Sequence, residues 1–187
     1  QLGLIARLPR LALIQAEGAA PLYRLLRRAA AEGKNPREIG LEPVESPQTL
    51  ATAIRIGAPA SWKKALRELE ATRGVCEMVS EQEIADAKAV IGLSGIGCEP
   101  ASAATLAGIR KLIAQNVIGK SDRVVAVLTG NLLKDPSYTL SYHEGTLSFP
   151  REGKPPQVIE PRFGNRPIAV PPDPDRIRRL LALRPSF

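Results

Sequence analysis

The stretch Val124-Val125-Ala126-Val127-Leu128 is the most strand-like run in the sequence, and it leads directly into Thr129-Gly130. Uninterrupted apolar residues, several of them β-branched, are typical of a strand that is buried within a parallel sheet. Residues 11–14 and 75–79 form two shorter runs of the same kind. We therefore predict strands at these three places.

Helices are predicted between these runs. The clearest start signals are the capping box formed by Ser80 and Glu83, and Pro100, which suits the first turn of a helix. The predicted helices cover residues 22–31, 62–73, 81–90 and 101–115. Strands that alternate with helices are typical of α/β proteins, so we predict an α/β fold with a parallel sheet flanked by helices.

The C-terminal part of the sequence differs in composition from the rest. Nine of the seventeen prolines fall at or beyond Pro150. A segment so rich in proline is typical of a chain that runs over a protein surface. We therefore predict one domain over residues 1–149 and an extended tail over residues 150–187, which ends in a short amphipathic helix from residue 175 to about residue 183.

The composition limits the classes of partner. An apolar fraction of 44% over 187 residues can build a core, and no apolar run approaches the ~18 residues of a membrane span. The net charge is +7, but the basic residues are spread along the chain, and aromatic residues make up only 4%. Nucleic-acid binding favours a concentrated basic patch with aromatic side chains for base stacking. We therefore predict neither a nucleic-acid partner nor a membrane partner.

The sulfur-containing residues bear on the location of the protein. Cys76 and Cys98 are too few for a disulfide framework or a zinc cluster, so they predict reduced thiols in a cytoplasmic protein. The first residues include Arg7 and Arg10 without an apolar core, so no secretory signal is expected. Residue 1 is a glutamine and the single methionine is Met78, so we expect the chain to be a processed protein or a fragment.

Several common catalytic patterns are not supported. His143 is the single histidine and no nucleophile elbow occurs, so a hydrolytic triad is not predicted, and His143 is interpreted as a surface or packing residue. The glycines at positions 92, 95 and 97 follow a predicted helix rather than a strand, which favours a helix C-terminal turn over a phosphate-binding loop. No histidine or cysteine spacing is typical of a metal site, so no metal is predicted.

Two places remain as candidate ligand sites. Glu99 and Ser102 lie at a predicted helix N-terminus, where free N–H groups favour an anion and the neighbouring alanines allow a flat ligand to approach. Alternatively, Glu99 only caps the helix and the alanines pack on the sheet. Thr129 and Gly130 follow the predicted strand, at the edge where open parallel sheets bind ligands. The alternative there is a plain turn.

Four regions of the sequence together resemble the C-terminal half of the threonine synthase family, in that family's order and with similar spacing. They are residues 15–21 (QAEGAAP), 49–57 (TLATAIRIG), 99–104 (EPASAA) and 128–135, in which LTG and LKD are the matching parts. The likeness covers approximately residues 5–140. The second and third motifs together are specific, whereas either of them alone is weak.

The resemblance implies a pyridoxal-phosphate enzyme of fold type II, similar to the tryptophan synthase β subunit. It implies the conversion of O-phospho-L-homoserine and water to L-threonine and phosphate by a homodimer. It also implies that the hydroxyl of Thr129 meets the pyridine nitrogen of the cofactor, and that Gly130, Glu99 and Ser102 lie at the cofactor. A neutral hydroxyl does not hold a proton on this nitrogen as a carboxylate does.

The family's Schiff-base lysine motif is not found among the eight lysines of this sequence. The glycine- and asparagine-rich loop for the cofactor phosphate is not found either, and in the family both precede the matched region. We therefore expect a C-terminal fragment that is inactive alone. Leu132 stands where the family pattern leads us to expect a glycine. The alternatives are cysteate synthase or a serine/threonine dehydratase of the same fold, and a non-catalytic interaction domain.

Overall fold

The structure, a computed structural model, describes residues 5–151 and 153–182. Its parallel sheet consists of strands β1 (Ala12–Ala16) and β2 (Val75–Val79), with Ala12 paired to Val75 and Ala16 to Val79. The strand predicted at residues 75–79 is confirmed at both ends. The strand predicted at residues 11–14 is confirmed with a shift of one to two residues. The predicted fold class, a parallel sheet flanked by helices, is confirmed.

Seven α-helices lie in the described residues. They are α1 (Pro21–Glu32), α2 (Pro36–Ile39), α3 (Trp62–Ala71), α4 (Glu81–Leu93), α5 (Pro100–Ala114), α6 (Pro136–Glu144) and α7 (Pro174–Ala182). The capping box that begins α4 is confirmed: Ser80 Oγ accepts from the Glu83 backbone N–H at 3.3 Å, and Glu83 Oε2 accepts from the Ser80 backbone N–H at 2.7 Å. None of the helices in the described ranges is long and apolar enough to cross a membrane.

Helix α5 lies directly on the parallel sheet, carries the predicted site residue Ser102 and begins directly after Glu99. Its face towards the sheet consists of small residues, including the buried Ala103 and Ala107. Gly108 lies against the side chain of Ile14, and a Cβ atom at Gly108 would overlap that side chain. Small residues are therefore needed on this face because the helix approaches β1 so closely.

The strand predicted at residues 124–128 is wrong. No residue in this stretch takes part in a strand or helix of the described structure, and Val125 is 86% exposed. A β-strand exists only where a second strand supplies hydrogen-bond partners for its backbone. The described residues place no second strand beside residues 124–128. The apolar pattern of this stretch therefore indicates suitability for a sheet, but does not by itself produce a strand.

The proline-rich segment is partly structured. Strands β3 (Ser148–Arg151) and β4 (Lys154–Val158) form an antiparallel hairpin, with Ser148 paired to Val158. The domain boundary predicted between residues 149 and 150 stays a prediction, and the structure places it within β3. The predicted C-terminal helix corresponds to α7, and residue 183 lies outside the described residues.

The segment after β4 is attached to α4 through Asp86, which is a buried carboxylate. The hydroxyl of Tyr142 on α6 donates to Asp86 Oδ1 at 2.8 Å, and Arg162 Nη1 lies 3.3 Å from Asp86 Oδ2. The Tyr142 oxygen also accepts the backbone N–H of Phe163 at 3.2 Å. Burial raises the pKa of Tyr142 to about 12, so its hydroxyl keeps the proton that it donates.

We expect Tyr142→Phe to lower the free energy of unfolding of the intact protein by about 1–3 kcal/mol. The change removes the hydrogen bond to Asp86 and leaves the Phe163 N–H without its acceptor. Urea denaturation measures the effect. Tyr23→Phe serves as the control, because Tyr23 is only half-buried. Equal midpoints for the two variants would show that the Asp86 cluster does not stabilise the fold.

Candidate functional site

The loop that contains Thr129 and Gly130 lies against the N-terminus of α5. The backbone carbonyl of Gly130 accepts the backbone N–H of Glu99 at 3.1 Å. Thr129 and Ser102 are also in hydrogen-bond contact, although they are 27 residues apart in the sequence. The structure thus brings the four predicted site residues, Glu99, Ser102, Thr129 and Gly130, into one cluster.

The hydroxyl of Ser102 is the centre of this cluster. Ser102 is 3% exposed, and its Oγ accepts the backbone N–H groups of Thr129 and Gly130, each at 3.0 Å. A hydroxyl group has two acceptor lone pairs and one proton. Because the two N–H groups occupy both lone pairs, the Ser102 hydroxyl can take part in a third hydrogen bond only as the donor. That proton is donated to Thr129 Oγ1, which lies 3.0 Å away. The proton of the Thr129 hydroxyl therefore points away from Ser102.

Glu99 supplies a buried carboxylate, 6% exposed, beside Thr129. Its Oε2 lies 3.1 Å from Lys134 Nζ, and its Oε1 lies 3.4 Å from Thr129 Oγ1. Glu99 is at the N-cap position of α5, but its side chain makes no capping hydrogen bond. The expected alternative is thus wrong in one part, because the Glu99 carboxylate contacts the loop and does not cap the helix, and is confirmed in the other, because the neighbouring alanines pack on the sheet.

Gly130 allows the loop and the helix to approach each other. A Cβ atom built at Gly130 would overlap the carboxylate carbon of Glu99. Gly130 itself is buried, whereas Thr129 is exposed. The glycine is therefore required for the close approach, and the threonine beside it is accessible to a ligand.

Two of the motifs that carried the resemblance have structural roles in the described residues. In the first motif, Gln15 Oε1 accepts the backbone N–H groups of Leu22 and Tyr23, each at 3.0 Å, and so caps the first turn of α1. In the second motif, the Leu50 backbone N–H donates to Glu81 Oε2 at 3.1 Å. These motifs fix loops to helices.

The two cysteines are free thiols, as the sequence predicts. Burial raises the pKa of Cys98, which is adjacent to Glu99, and the nearby Lys88 opposes this shift. Burial also raises the pKa of Cys76 to about 12. A thiol with a raised pKa stays protonated and is a poor nucleophile, so neither cysteine is suited to covalent catalysis.

The sequence analysis did not identify Lys134 as a member of the cluster. Lys134 is the last residue of the turn formed by residues 132–134 and provides the cation that pairs with Glu99. A buried carboxylate requires a cation or several hydrogen bonds. A lysine close to the predicted loop is therefore the sequence signal that indicates a partner for Glu99. The described residues contain no group of three or more His, Cys, Asp and Glu side chains arranged for a metal ion.

Comparison with known families shows the family of the chain. A family model described as pyridoxal-phosphate dependent enzyme matches residues 2–130. The chain therefore belongs to the family of pyridoxal-phosphate dependent enzymes, and the predicted cofactor, pyridoxal phosphate, is confirmed at the level of this family.

Among individual proteins, the chain is similar to threonine synthases. It is 42% identical to the threonine synthase of Methanosarcina acetivorans over 144 residues, which cover 76% of this chain and 34% of that protein. It is 37% identical to that of Methanocaldococcus jannaschii over 148 residues, covering 79% and 35%. It is 42% identical to that of Mycobacterium tuberculosis over 141 residues, covering 75% and 35%. The chain spans about a third of the length of these curated relatives.

The chemistry of the cluster suits the pyridine nitrogen of the cofactor, because the cluster presents the Thr129 hydroxyl as a donor. The Thr129 proton is not used by Ser102 and is donated to Glu99 Oε1 over 3.4 Å, which is long for a bond between two oxygen atoms, so Glu99 holds it only weakly. An unprotonated ring nitrogen is an acceptor for such a proton. The single carboxylate of the cluster is paired with Lys134, so the accessible polar group of the cluster is the neutral hydroxyl of Thr129.

Proposed function

We propose that the intact protein to which this chain belongs is a threonine synthase, which converts O-phospho-L-homoserine and water to L-threonine and phosphate. The observation that carries the proposal is the 42% identity to a threonine synthase over 144 residues. That aligned length includes three quarters of the chain, so the similarity is not confined to a short cofactor motif. The cluster around Ser102 supports the proposal because it supplies a hydroxyl for the cofactor ring.

In this proposal the chain holds the ring of the cofactor and sets the charge of its nitrogen. Pyridoxal phosphate, when bound, supplies an electron sink for negative charge that develops on the substrate carbons. Thr129 would donate a hydrogen bond to the ring nitrogen, and Ser102 would fix the direction of the Thr129 proton by donating its own hydrogen bond to Thr129 Oγ1. Gly130 and Glu99 would complete the site, with Lys134 holding the Glu99 carboxylate. Thr129 would thus give the ring nitrogen a hydrogen bond without giving it a full positive charge.

Several further properties belong to the same proposal. The 187 residues alone are inactive, because none of their lysines lies in the family's Schiff-base motif. Residues 1–149 form part of the catalytic domain, and residues 150–187 form a tail. The intact protein is a cytoplasmic homodimer. Its substrate is a small molecule, as expected of a pyridoxal-phosphate dependent enzyme.

The test of this function uses the intact protein, purified with its cofactor. We expect O-phospho-L-homoserine to yield L-threonine and inorganic phosphate in equal amounts, measured by amino-acid analysis and a phosphate assay. Two related activities serve as controls: deamination of L-serine and L-threonine to the corresponding oxo acids, and formation of cysteate from O-phospho-L-serine and sulfite.

The outcomes separate the alternatives. A higher kcat/KM for L-serine than for O-phospho-L-homoserine would assign the protein to the dehydratases. A higher kcat/KM for O-phospho-L-serine with sulfite would assign it to cysteate synthase. An intact protein without cofactor absorbance would instead support a non-catalytic domain.

A further inference from the structure

A cavity lies between α4 and α6. Its volume is about 540 Å³, and Ala85, Ala89 and Leu132 contribute to its apolar wall. The polar side chains that line it include Lys88 and His143, and no aspartate or glutamate of the described residues lines it. The cavity is therefore apolar on one part of its surface and basic on another.

Lys88 is a buried lysine in the wall of this cavity. It is 5% exposed, and its Nζ donates to Thr139 Oγ1 at 2.8 Å. An ammonium group has three donors, and no carboxylate of the described residues lies within 4.0 Å of this one. Burial lowers the pKa of Lys88, while the more distant Cys98 and Asp135 oppose the shift. A buried charge without a close counter-ion is unfavourable unless a ligand supplies one.

One further group beside Lys88 can act as a donor to a ligand in the cavity. Tyr138 also lines the cavity, and Lys88 Nζ lies 5.9 Å from the centre of its ring, but the Tyr138 hydroxyl oxygen is wholly buried and out of reach of such a ligand. His143 Nδ1 accepts the backbone N–H of Asn165 at 2.9 Å, so the proton of the neutral imidazole is on Nε2. Burial and the positive charge of Lys88 lower the pKa of His143, which favours this neutral form.

We propose that this cavity binds a small organic carboxylate, with the carboxylate at Lys88 and a short aliphatic part against Ala89 and Leu132. The donors of Lys88 and His143 match a carboxylate, which accepts several hydrogen bonds and supplies the missing negative charge. The apolar wall favours a carboxylate with a hydrocarbon part over an inorganic anion. The site is separate from the cluster around Ser102, and the proposal does not depend on the proposed function.

The test uses isothermal titration calorimetry on the intact protein with three probes: butyrate, its neutral counterpart butyramide, and inorganic phosphate. We expect butyrate to bind, butyramide to bind at least about 30-fold more weakly, and phosphate to bind more weakly than butyrate. We expect Lys88→Met to weaken butyrate binding by at least about 30-fold, because the buried counter-charge is lost. Lys63→Met is the matched control, since Lys63 is an exposed lysine on α3 and its loss leaves butyrate binding unchanged.

Urea denaturation shows whether Lys88→Met is folded. Without ligand, this variant should unfold at the same urea concentration as the parent protein or at a higher one, because a buried unpaired charge is replaced by an apolar side chain of similar length. The proposal is overturned if butyrate and butyramide bind equally, if a folded Lys88→Met variant binds butyrate as the parent does, or if butyrate does not bind. Phosphate binding as tight as that of butyrate would reveal a general anion site and would also overturn it.

Discussion

In a Gly130→Ala variant of the intact protein, we expect turnover to fall by about 100-fold or more, together with a loss or shift of the visible cofactor absorbance. The added Cβ atom overlaps the carboxylate carbon of Glu99, so either the loop or Glu99 must move. Movement of the loop breaks the bonds from the Thr129 and Gly130 N–H groups to Ser102 Oγ. Movement of Glu99 disturbs its ion pair with Lys134. Both responses displace the hydroxyl of Thr129.

The matched control for this prediction is Gly119→Ala. Gly119 is an exposed glycine, and a Cβ atom there meets its nearest neighbour, Asp122 Oδ2, at an ordinary 3.7 Å. We expect this variant to keep the parent turnover and absorbance spectrum. If Gly130→Ala were to match Gly119→Ala in both measurements, the close approach of Gly130 to Glu99 would have no part in cofactor binding.

The second large effect is expected from Thr129→Val, which replaces the hydroxyl by a methyl group of similar size. The ring nitrogen then loses its donor, and the Ser102 proton loses the acceptor at 3.0 Å. We expect kcat to fall by about 10–100-fold, since a lost hydrogen bond to a reacting group costs roughly 1.5–3 kcal/mol. Steady-state kinetics and the absorbance spectrum of the bound cofactor measure the effect.

Thr129→Ser distinguishes the hydroxyl from the shape of the side chain. Serine keeps the hydroxyl and loses only the methyl group, so we expect kcat within about threefold of the parent protein and an unchanged cofactor spectrum. Parent-like turnover and spectrum in Thr129→Val would contradict the assignment of Thr129 to the ring nitrogen. Equal losses in the two variants would indicate that packing, and not the hydroxyl, is responsible.

The sequence predicted the fold where the local signal and the tertiary contacts agree. The capping box of Ser80 and Glu83 is local, so the start of α4 is at the predicted residue. Strand β2 was also predicted correctly, because its apolar run coincides with a hydrogen-bonded neighbour, β1. Residues 124–128 have the stronger apolar pattern, but the described chain provides no strand beside them. The pattern of apolar side chains therefore indicates that residues 124–128 can form a strand, but it does not show whether a neighbouring strand is present.

The candidate site shows a similar division. The sequence indicated Glu99, Ser102, Thr129 and Gly130 separately, from a helix start and from a strand end, and the structure places them together. The direction of the Thr129 proton could not be predicted, because it depends on two backbone N–H groups that meet Ser102 Oγ only in the folded protein. The partner of Glu99 depends in the same way on where the loop places Lys134. Residue types thus predict the participants of a site, whereas the contacts that orient them are tertiary.

The pairing of β1 with β2 has a consequence for the order in which the protein folds. Ala12 must meet Val75, roughly sixty residues later in the chain, and closing so long a loop is entropically unfavourable before other contacts exist. The helices α1 and α3 lie within this interval and contain mainly local contacts, so they can form first and shorten the distance. During synthesis, β1 leaves the ribosome well before its only described neighbour. Its apolar residues are therefore exposed to chaperones and to other nascent chains until α3 and β2 have been made.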